Sequence, residues 1–243
     1  MKFKALLSGA AMVTVAAFAL GGKETPGQTV DSGSFGVFLG GRRVATETFS
    51  IEQQATGSVV TSEFKMENGG DQARQSSELQ LSLTGDLRRY DWKEITPGKA
   101  QATVTPNDTF LMQRSIRNPG EKAEEQPYIL PLATSILDDY FFVHREILAW
   151  RYLKFGCREN HGRLECPKGQ KVQLGVLVPH SRTSMLVSME FVGREKVPVR
   201  GEERELNRLT LKGDSGEWAL WLDDQYKLVR ILVPEDNTEV VRD

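Results

Sequence analysis

The chain has 243 residues, a formal net charge of −2 and 39% hydrophobic residues. Acidic and basic residues are interspersed, so no basic cluster indicates a nucleic-acid partner and no charged stretch indicates binding to a membrane surface. A chain of this length can bury one ample hydrophobic core or two small ones.

The first 22 residues have the pattern of a secretory signal peptide. Lys2 and Lys4 precede an apolar run from residue 5 to residue 20, and the run ends in small residues. A membrane helix needs about 20 apolar residues, so a membrane anchor is the weaker interpretation. Cleavage is expected after Ala19 or Gly22, and no Cys follows the run to carry a lipid. We therefore predict a periplasmic or secreted protein whose mature chain has no transmembrane segment.

The remainder of the chain is predicted to be a flexible leader followed by one β-rich domain. Residues 23–34 are rich in Gly, Pro, Ser and Thr, which is typical of a leader. From residue 35 to residue 243, apolar and polar residues alternate in short segments that Gly, Pro and Asn separate, as in antiparallel strands. About ten such strands are expected, with no internal repeat or linker. They favour a mainly β fold in which a curled antiparallel sheet forms a barrel or half-barrel.

One central amphipathic helix is predicted over Pro131–Leu153. Thr134 or Ser135 is a suitable N-cap, the adjacent Asp138 and Asp139 suit the positive end of the helix dipole, and Gly156 is a suitable terminator. A mostly apolar and aromatic stripe recurs at steps of three and four residues, at Leu137, Tyr140, Phe141, His144, Ile147, Leu148 and Arg151.

The two cysteines, Cys157 and Cys166, are predicted to form a disulfide. They flank a short polar segment, and close cysteines pair in an oxidising compartment. Such a small loop contributes about 3 kcal/mol at most. A metal site that includes His161 and a pair of free thiols are the alternatives. Structural zinc takes four ligands and this loop offers three, so no metal and no other cofactor is predicted.

Residues 213–216 read Gly-Asp-Ser-Gly, the core of the nucleophile motif of trypsin-like serine proteases. In that family the Ser attacks the substrate and a His takes its proton. Glu217 stands where the family has another Gly, and strand-like segments flank the motif. A hairpin turn is therefore the better interpretation.

The remaining polar candidates have structural interpretations as well. His144, His161 and His180 form no zinc-binding pair, and His144 is best read as a core or groove histidine bonded to a neighbour. His180 is expected at an exposed corner. The pair at residues 138–139 is explained by the helix dipole, and the pair at residues 223–224 by a turn.

Aromatic residues crowd the predicted helix and one nearby strand. Trp218 and Trp221 are three residues apart, so they point to opposite faces of that strand. A helix over the open side of a curled sheet would leave an apolar cavity suited to a lipid, whereas the alternative is that the aromatic residues fill a core. The candidate ligand-binding residues are Tyr140, Phe141, His144, Ile147, Trp150, Trp218 and Trp221.

Two segments carry a resemblance to known proteins. Residues 33–51 resemble the opening hairpin, and residues 218–231 the closing hairpin, of uncharacterised exported bacterial β-rich proteins. The resemblance implies a curved antiparallel β fold in a bacterial envelope, without an established activity. The outline is also similar to periplasmic lipoprotein carriers, which are half-barrels with a helical lid, although the helix here is central where theirs leads the chain.

These features favour a non-enzymatic exported envelope protein that binds a hydrophobic or amphipathic ligand, such as a lipid, or an envelope protein partner. An envelope hydrolase acting on ester or glycan is the first alternative. It would use His180 with Ser181 or Ser184, or His144 with one of the Asp pairs. A structural or assembly module is the second alternative, and a large flat apolar patch would identify it.

Overall fold

The computed structural model of the chain describes residues 27–67, 73–131, 133–161, 163–214 and 216–243. The predicted signal peptide lies outside these residues. The fold is mainly β with one α-helix, as the alternation predicts. Among the described helices, none has the length and apolar character required to cross a membrane.

The chain forms seventeen strands over the described residues, and most follow one another through short turns. The first eight are β1 (Gln28–Leu39), β2 (Arg42–Gln54), β3 (Gly57–Met66), β4 (Arg74–Ser82), β5 (Leu87–Thr96), β6 (Gln101–Asn107), β7 (Phe110–Ile116) and β8 (Glu124–Tyr128). The short β9 (Ser135–Ile136) precedes the helix α1 (Val143–Gly156). After the helix come β10 (Arg158–Asn160), β11 (Arg163–Glu165), β12 (Lys171–Val178), β13 (Thr183–Val199), β14 (Glu202–Gly213), β15 (Gly216–Leu222), β16 (Leu228–Val233), a 3₁₀ turn (Pro234–Asp236) and β17 (Thr238–Arg242).

Fifteen of these strands form a single sheet, in the order β8-β7-β6-β5-β4-β3-β2-β1-β17-β16-β15-β14-β13-β12-β9. Neighbours pair antiparallel, except that β9 runs parallel to β12. The first and last strands, β1 and β17, lie side by side in the middle of the sheet. They join one meander of strands, β2 to β8, to another, β12 to β16.

The sheet is not closed into a barrel, which corrects the barrel alternative. Its two end regions meet through side chains instead. Gln113 Nε2 donates to the carbonyl of Pro179 at 3.0 Å, and Arg182 pairs with Glu124 at 2.8 Å. The rings of Trp92 and His180 also meet, with centroids 5.3 Å apart.

The strand count of about ten was too low. The sequence pattern misses β8, β10 and β11, because their residues are mostly exposed and polar and therefore show no alternation. It also misses β9, which has two residues, and β17, whose apolar residues Val240 and Val241 are adjacent and do not alternate. In addition, β1 begins at Gln28, so residues 28–34 of the predicted leader pair with β2 and belong to the sheet.

The helix begins at Val143, twelve residues later than the predicted start at residue 131. Ser135 and Ile136 pair in parallel with Val176 and Leu177 of β12, and this pairing prevents the helix from starting earlier. Thr134 and Ser135 are therefore not its caps. The adjacent residues 138 and 139 precede its first turn. The helix ends at Gly156, three residues beyond the predicted end at Leu153, so Gly156 is its last residue and Cys157 is its C-cap.

The helix lies in the core on the inner face of the curled sheet. The prediction that it is amphipathic was wrong, because most of its surface is buried. Only Lys154 and Phe155 are exposed, and nine of its residues are buried: Val143, His144, Arg145, Glu146, Leu148, Ala149, Tyr152, Leu153 and Gly156. A second, smaller apolar cluster involves strands β13 to β17, where Trp221 packs with Val197 and Val229. The main core therefore surrounds the helix.

Candidate functional site

The predicted ligand-binding residues are distributed over three environments. Phe141 and His144 are fully buried in the core. Ile147 and Trp150 are half-buried, and the indole of Trp150 donates to the carbonyl of Tyr226 at 2.7 Å. These four side chains therefore pack against other residues of the protein core.

Tyr140 and the two tryptophans lie in different places. The Tyr140 ring meets the ring of the exposed His180, with centroids 4.8 Å apart. Trp218 packs against the main core, and the guanidinium of Arg145 lies 4.6 Å from its ring centroid. Trp221 belongs to the smaller cluster, and its indole donates to Glu195. The opposite orientations of the two tryptophans were predicted.

The N-terminus of α1 is capped by a carboxylate from the sheet. Glu47 of β2 is fully buried and accepts hydrogen bonds from the backbone N–H groups of Phe142, at 2.6 Å, and Val143, at 3.3 Å. The hydroxyl of Ser62 donates to it at 2.7 Å. The first N–H groups of a helix have no partner within the helix, and a negative charge suits this end of the helix dipole. Burial raises the pKa of Glu47 to about 7, although these hydrogen bonds oppose the rise.

A second buried group surrounds His144. The backbone N–H of Asp138 donates to His144 Nδ1 at 3.2 Å, and the hydroxyl of Tyr90 donates to the Asp138 carboxylate at 2.8 Å. Burial and the nearby charge of Arg145 lower the pKa of His144 to about 3, so the imidazole is neutral at pH 7. Burial raises the pKa of Asp138. The interpretation of His144 as a core histidine bonded to a neighbour agrees with this geometry.

A third buried group joins the helix to the terminal strands. Arg242 of β17 pairs with Asp31 of β1 and, at 3.2 Å, with Glu146 of the helix. Lys227 pairs with Asp31 at 3.0 Å. Burial and the neighbouring Asp31 raise the pKa of Glu146. Burial would raise the pKa of Asp31 as well, but hydrogen bonds with Arg242, Glu146 and Lys227 lower it to about 2.

The hydrolase alternative requires a histidine that meets an acid or a hydroxyl in a cleft. His144 accepts from a backbone N–H, and its Nε2 has no hydrogen-bond partner among the described residues. Ser181 bonds to Thr183 and to the carbonyl of Val178. Gly213 pairs with Gly216 across the turn between β14 and β15, so the protease-like motif lies at a hairpin turn, while its Ser215 is outside the described residues.

The cysteine prediction is confirmed, because Cys157 and Cys166 form a disulfide. Cys157 directly follows α1, so the bridge attaches the end of the helix to the segment that follows β11. Within the described ranges there is no group of three or more His, Cys, Asp or Glu residues that could hold a metal ion.

An apolar groove of about 580 Å³ lies beside the last turns of the helix. Three parts of the chain form its walls: the segment before β9, the end of α1, and the paired strands β12 and β13. The lining residues are Leu130, Pro131, Ala133, Thr134, Arg151, Phe155, Val172, Gln173, Leu174, Gly175, Ser184, Met185 and Leu186. Sequence reasoning missed this groove, and none of the seven predicted residues lines it.

Two residues of the groove are large, apolar and exposed. Phe155 is 57% exposed and Leu186 is 66% exposed. The guanidinium of Arg151 and the ammonium of Lys154 lie 5.7 and 6.0 Å from the centroid of the Phe155 ring. Leu186 stands between Ser184 and Ser188 on the outward phase of β13, where a polar residue is expected. An apolar residue in that phase is the sequence signal that could have indicated the groove.

A second cavity, of about 1050 Å³, lies over strands β2 to β7. Its charged lining residues balance in sign, with Glu63, Glu78 and Asp91 against Arg89, Lys93 and Arg114. Several of them pair locally, as Arg89 does with Asp91. Alternating charged and hydroxyl side chains are the normal solvent face of an antiparallel sheet, so the apolar groove is the better candidate site.

Comparison of the chain with models of protein families, with curated proteins and with solved structures gave no significant match.

Proposed function

We propose that this protein is a non-enzymatic binding protein of the bacterial envelope, exported by its signal peptide, that holds a hydrophobic or amphipathic molecule in the apolar groove. The exposure of Phe155 and Leu186 within one groove carries the proposal. Large apolar side chains that share a concave surface commonly mark a binding site. The ligand class is the one that the sequence favours, although the site differs from the one it suggests.

The groove supports binding energetically. Complete burial of a Leu or Phe side chain contributes about 1.5 to 3 kcal/mol. Phe155 and Leu186 are each more than half exposed, so a ligand that covers both would gain about 3 kcal/mol from these two side chains alone. The half-buried Leu130, Val172 and Met185 add further apolar surface.

The proposed location outside the cytoplasm depends on the N-terminal sequence, and the disulfide is compatible with it. A basic start, an apolar run and small residues at the end favour export. Disulfides persist in oxidising compartments such as the periplasm.

Titration of the purified protein with N-phenyl-1-naphthylamine, an uncharged apolar fluorophore, tests the proposal. We expect a saturable rise in fluorescence, and about tenfold weaker binding by Leu186→Asp, because the new carboxylate would be desolvated in the groove. Leu39→Asp is the matched control, because Leu39 is 52% exposed and lies beside the β1–β2 turn, outside the groove. Absence of saturable binding, or equal weakening by both variants, would refute the proposal.

A further inference from the structure

We propose that the occupant of the groove is an extended apolar polypeptide segment, which adds to the sheet as a strand along the free edge of β12. This inference rests on the proposed function and specifies the chemistry of its ligand. Strand addition is a common mode of peptide recognition, in which backbone hydrogen bonds provide affinity and pockets for alternate side chains provide specificity.

The first observation is the free edge itself. Strand β9 pairs with β12 only at Val176 and Leu177, so residues 171–175 of β12 pair with β13 on one side and with no described strand on the other. The carbonyl of Leu177 accepts from the N–H of Leu137, so it points away from β13. In an antiparallel pair this orientation repeats at every second residue. Gln173 therefore also directs its backbone N–H and C=O groups toward the free edge, whereas Gly175 lies beside Thr134.

The second observation is that the apolar groove lies along this edge. The four residues from Val172 to Gly175 line it, and Leu130, Pro131 and Ala133 face them from the segment before β9. A neighbouring strand would lie about 4.8 Å from β12. The groove thus provides space for a strand at the place where β12 lacks one.

Together, these observations distinguish a peptide from an acyl chain. An acyl chain would cover the apolar lining but would desolvate the backbone N–H and C=O groups of Gln173 without bonding them. Each unsatisfied backbone group costs about 1 to 3 kcal/mol. An extended peptide bonds these groups through its own backbone, and its side chains alternate between the face of the sheet that carries Leu186 and the opposite face, which carries Leu174.

The charges beside the groove add a further requirement. Arg151 and Lys154 flank the ring of Phe155. Arg151 pairs with Asp86 at 3.5 Å, whereas Lys154 donates to the carbonyl of Thr84 and takes part in none of the ion pairs found among the described residues. The helix end therefore carries a positive charge that an acidic residue of the peptide would complement.

The experiment measures binding of a synthetic peptide in which valine and threonine alternate and which ends in glutamate. Two changes remove backbone bonds: N-methylation of alternate peptide amides, which keeps the side chains of the peptide, and the Gln173→Pro variant, which loses the outward N–H but no bond to β13. We expect either change to weaken binding by about tenfold. Gln173→Ala is the matched control and should bind normally. Replacement of the terminal glutamate by lysine should also weaken binding.

The outcomes separate this inference from the proposed function. If the naphthylamine binds while the peptide does not, or if the N-methylated peptide binds equally well, strand addition is refuted and the apolar site remains. If neither probe binds, both proposals fail. Sedimentation of the protein alone tests whether a second copy occupies the edge, since a dimer that Gln173→Pro dissociates would refute a foreign peptide as the occupant.

Discussion

The two ends of the helix α1 lie in opposite environments. At its N-terminus, Val143 to Glu146 are all buried, and three of these four residues are polar or charged. Side chains of strands β1, β2 and β17 bond there, and so does the backbone of the segment that precedes the helix. At its C-terminus, Lys154 and Phe155 are exposed beside an apolar groove with a free strand edge.

The two ends differ in how they are held: buried polar and charged contacts hold the N-terminal end, whereas the C-terminal end is partly exposed. Buried ion pairs contribute little net stability, because desolvation offsets their attraction, but removal of one partner is costly. Such pairs therefore fix the position of a helix within a core. At the C-terminal end, Arg151 and Lys154 lie beside the ring of Phe155, which remains more than half exposed.

The largest effect is expected from Arg242→Ala. Among the described residues, this change leaves Glu146 without an ion-pair partner and leaves Lys227 as the one ion-pair partner of Asp31. Breaking a buried ion pair costs about 3 to 5 kcal/mol, so we expect the free energy of unfolding to fall by about 4 kcal/mol in urea titrations. Phe155→Ala, at the other end of the helix, should lower it by less than about 1 kcal/mol. Similar losses of unfolding free energy in both variants would contradict the proposed difference between the two ends of the helix.

A smaller loss is expected from Glu47→Ala. The N–H groups of Phe142 and Val143 and the hydroxyl of Ser62 would lose their shared acceptor in a buried site. Loss of a helix cap costs about 1 kcal/mol, and each orphaned buried donor adds about 1 to 3 kcal/mol. We expect a total of about 3 kcal/mol after local relaxation, measured by urea denaturation. Glu52→Ala on the same strand is the control and should change stability by less than about 0.5 kcal/mol.

The pH dependence of stability should be smaller and should have opposite signs for two buried groups. The pKa of His144 falls from 6.5 to about 3 on folding, so its neutral form stabilises the protein above pH 6.5, and this contribution is lost as the pH falls toward 3. The pKa of Glu47 rises from 4.5 to about 7, so its contribution is present below pH 4.5 and is lost as the pH rises to 7.

Denaturation of two conservative variants between pH 4.5 and 6.5 checks these signs. As the pH falls, His144→Gln should gain stability relative to the unaltered protein, by up to about 1.4 kcal/mol per pH unit. Glu47→Gln should lose stability relative to it over the same range. Parallel curves for all three proteins would show that these buried groups do not control the pH response.

The sequence was sufficient for the fold class and for the disulfide. Alternation of apolar residues, as in Val172, Leu174 and Val176, follows from the two-residue period of a strand. It therefore identifies correctly which residues face the core. The helix prediction was wrong for residues 131–142. Their apolar spacing resembles that of a helix, but Ser135 and Ile136 pair with β12, about forty residues further along the chain. Local spacing contains no information about such pairing.

The groove and the buried ion pairs could not be predicted for the same reason. Asp31 and Arg242 are 211 residues apart, and nothing near either residue indicates the other. The groove depends on three segments that meet only in the folded sheet, so a single exposed position such as Leu186 could be noted but not interpreted. Prediction was reliable where neighbours in the sequence determine the structure.

The pairing of β1 with β17 has a consequence for how the protein folds. These strands form the junction between the two meanders, yet more than two hundred residues separate bonded groups such as Ser34 and Asp243. Contacts between such distant residues form slowly, because a long loop must close first. Until β17 arrives, β1 presents an unpaired edge in a partly folded chain, and such edges promote aggregation. We therefore expect the slow step of folding to be the union of two meanders that each form by local hairpins.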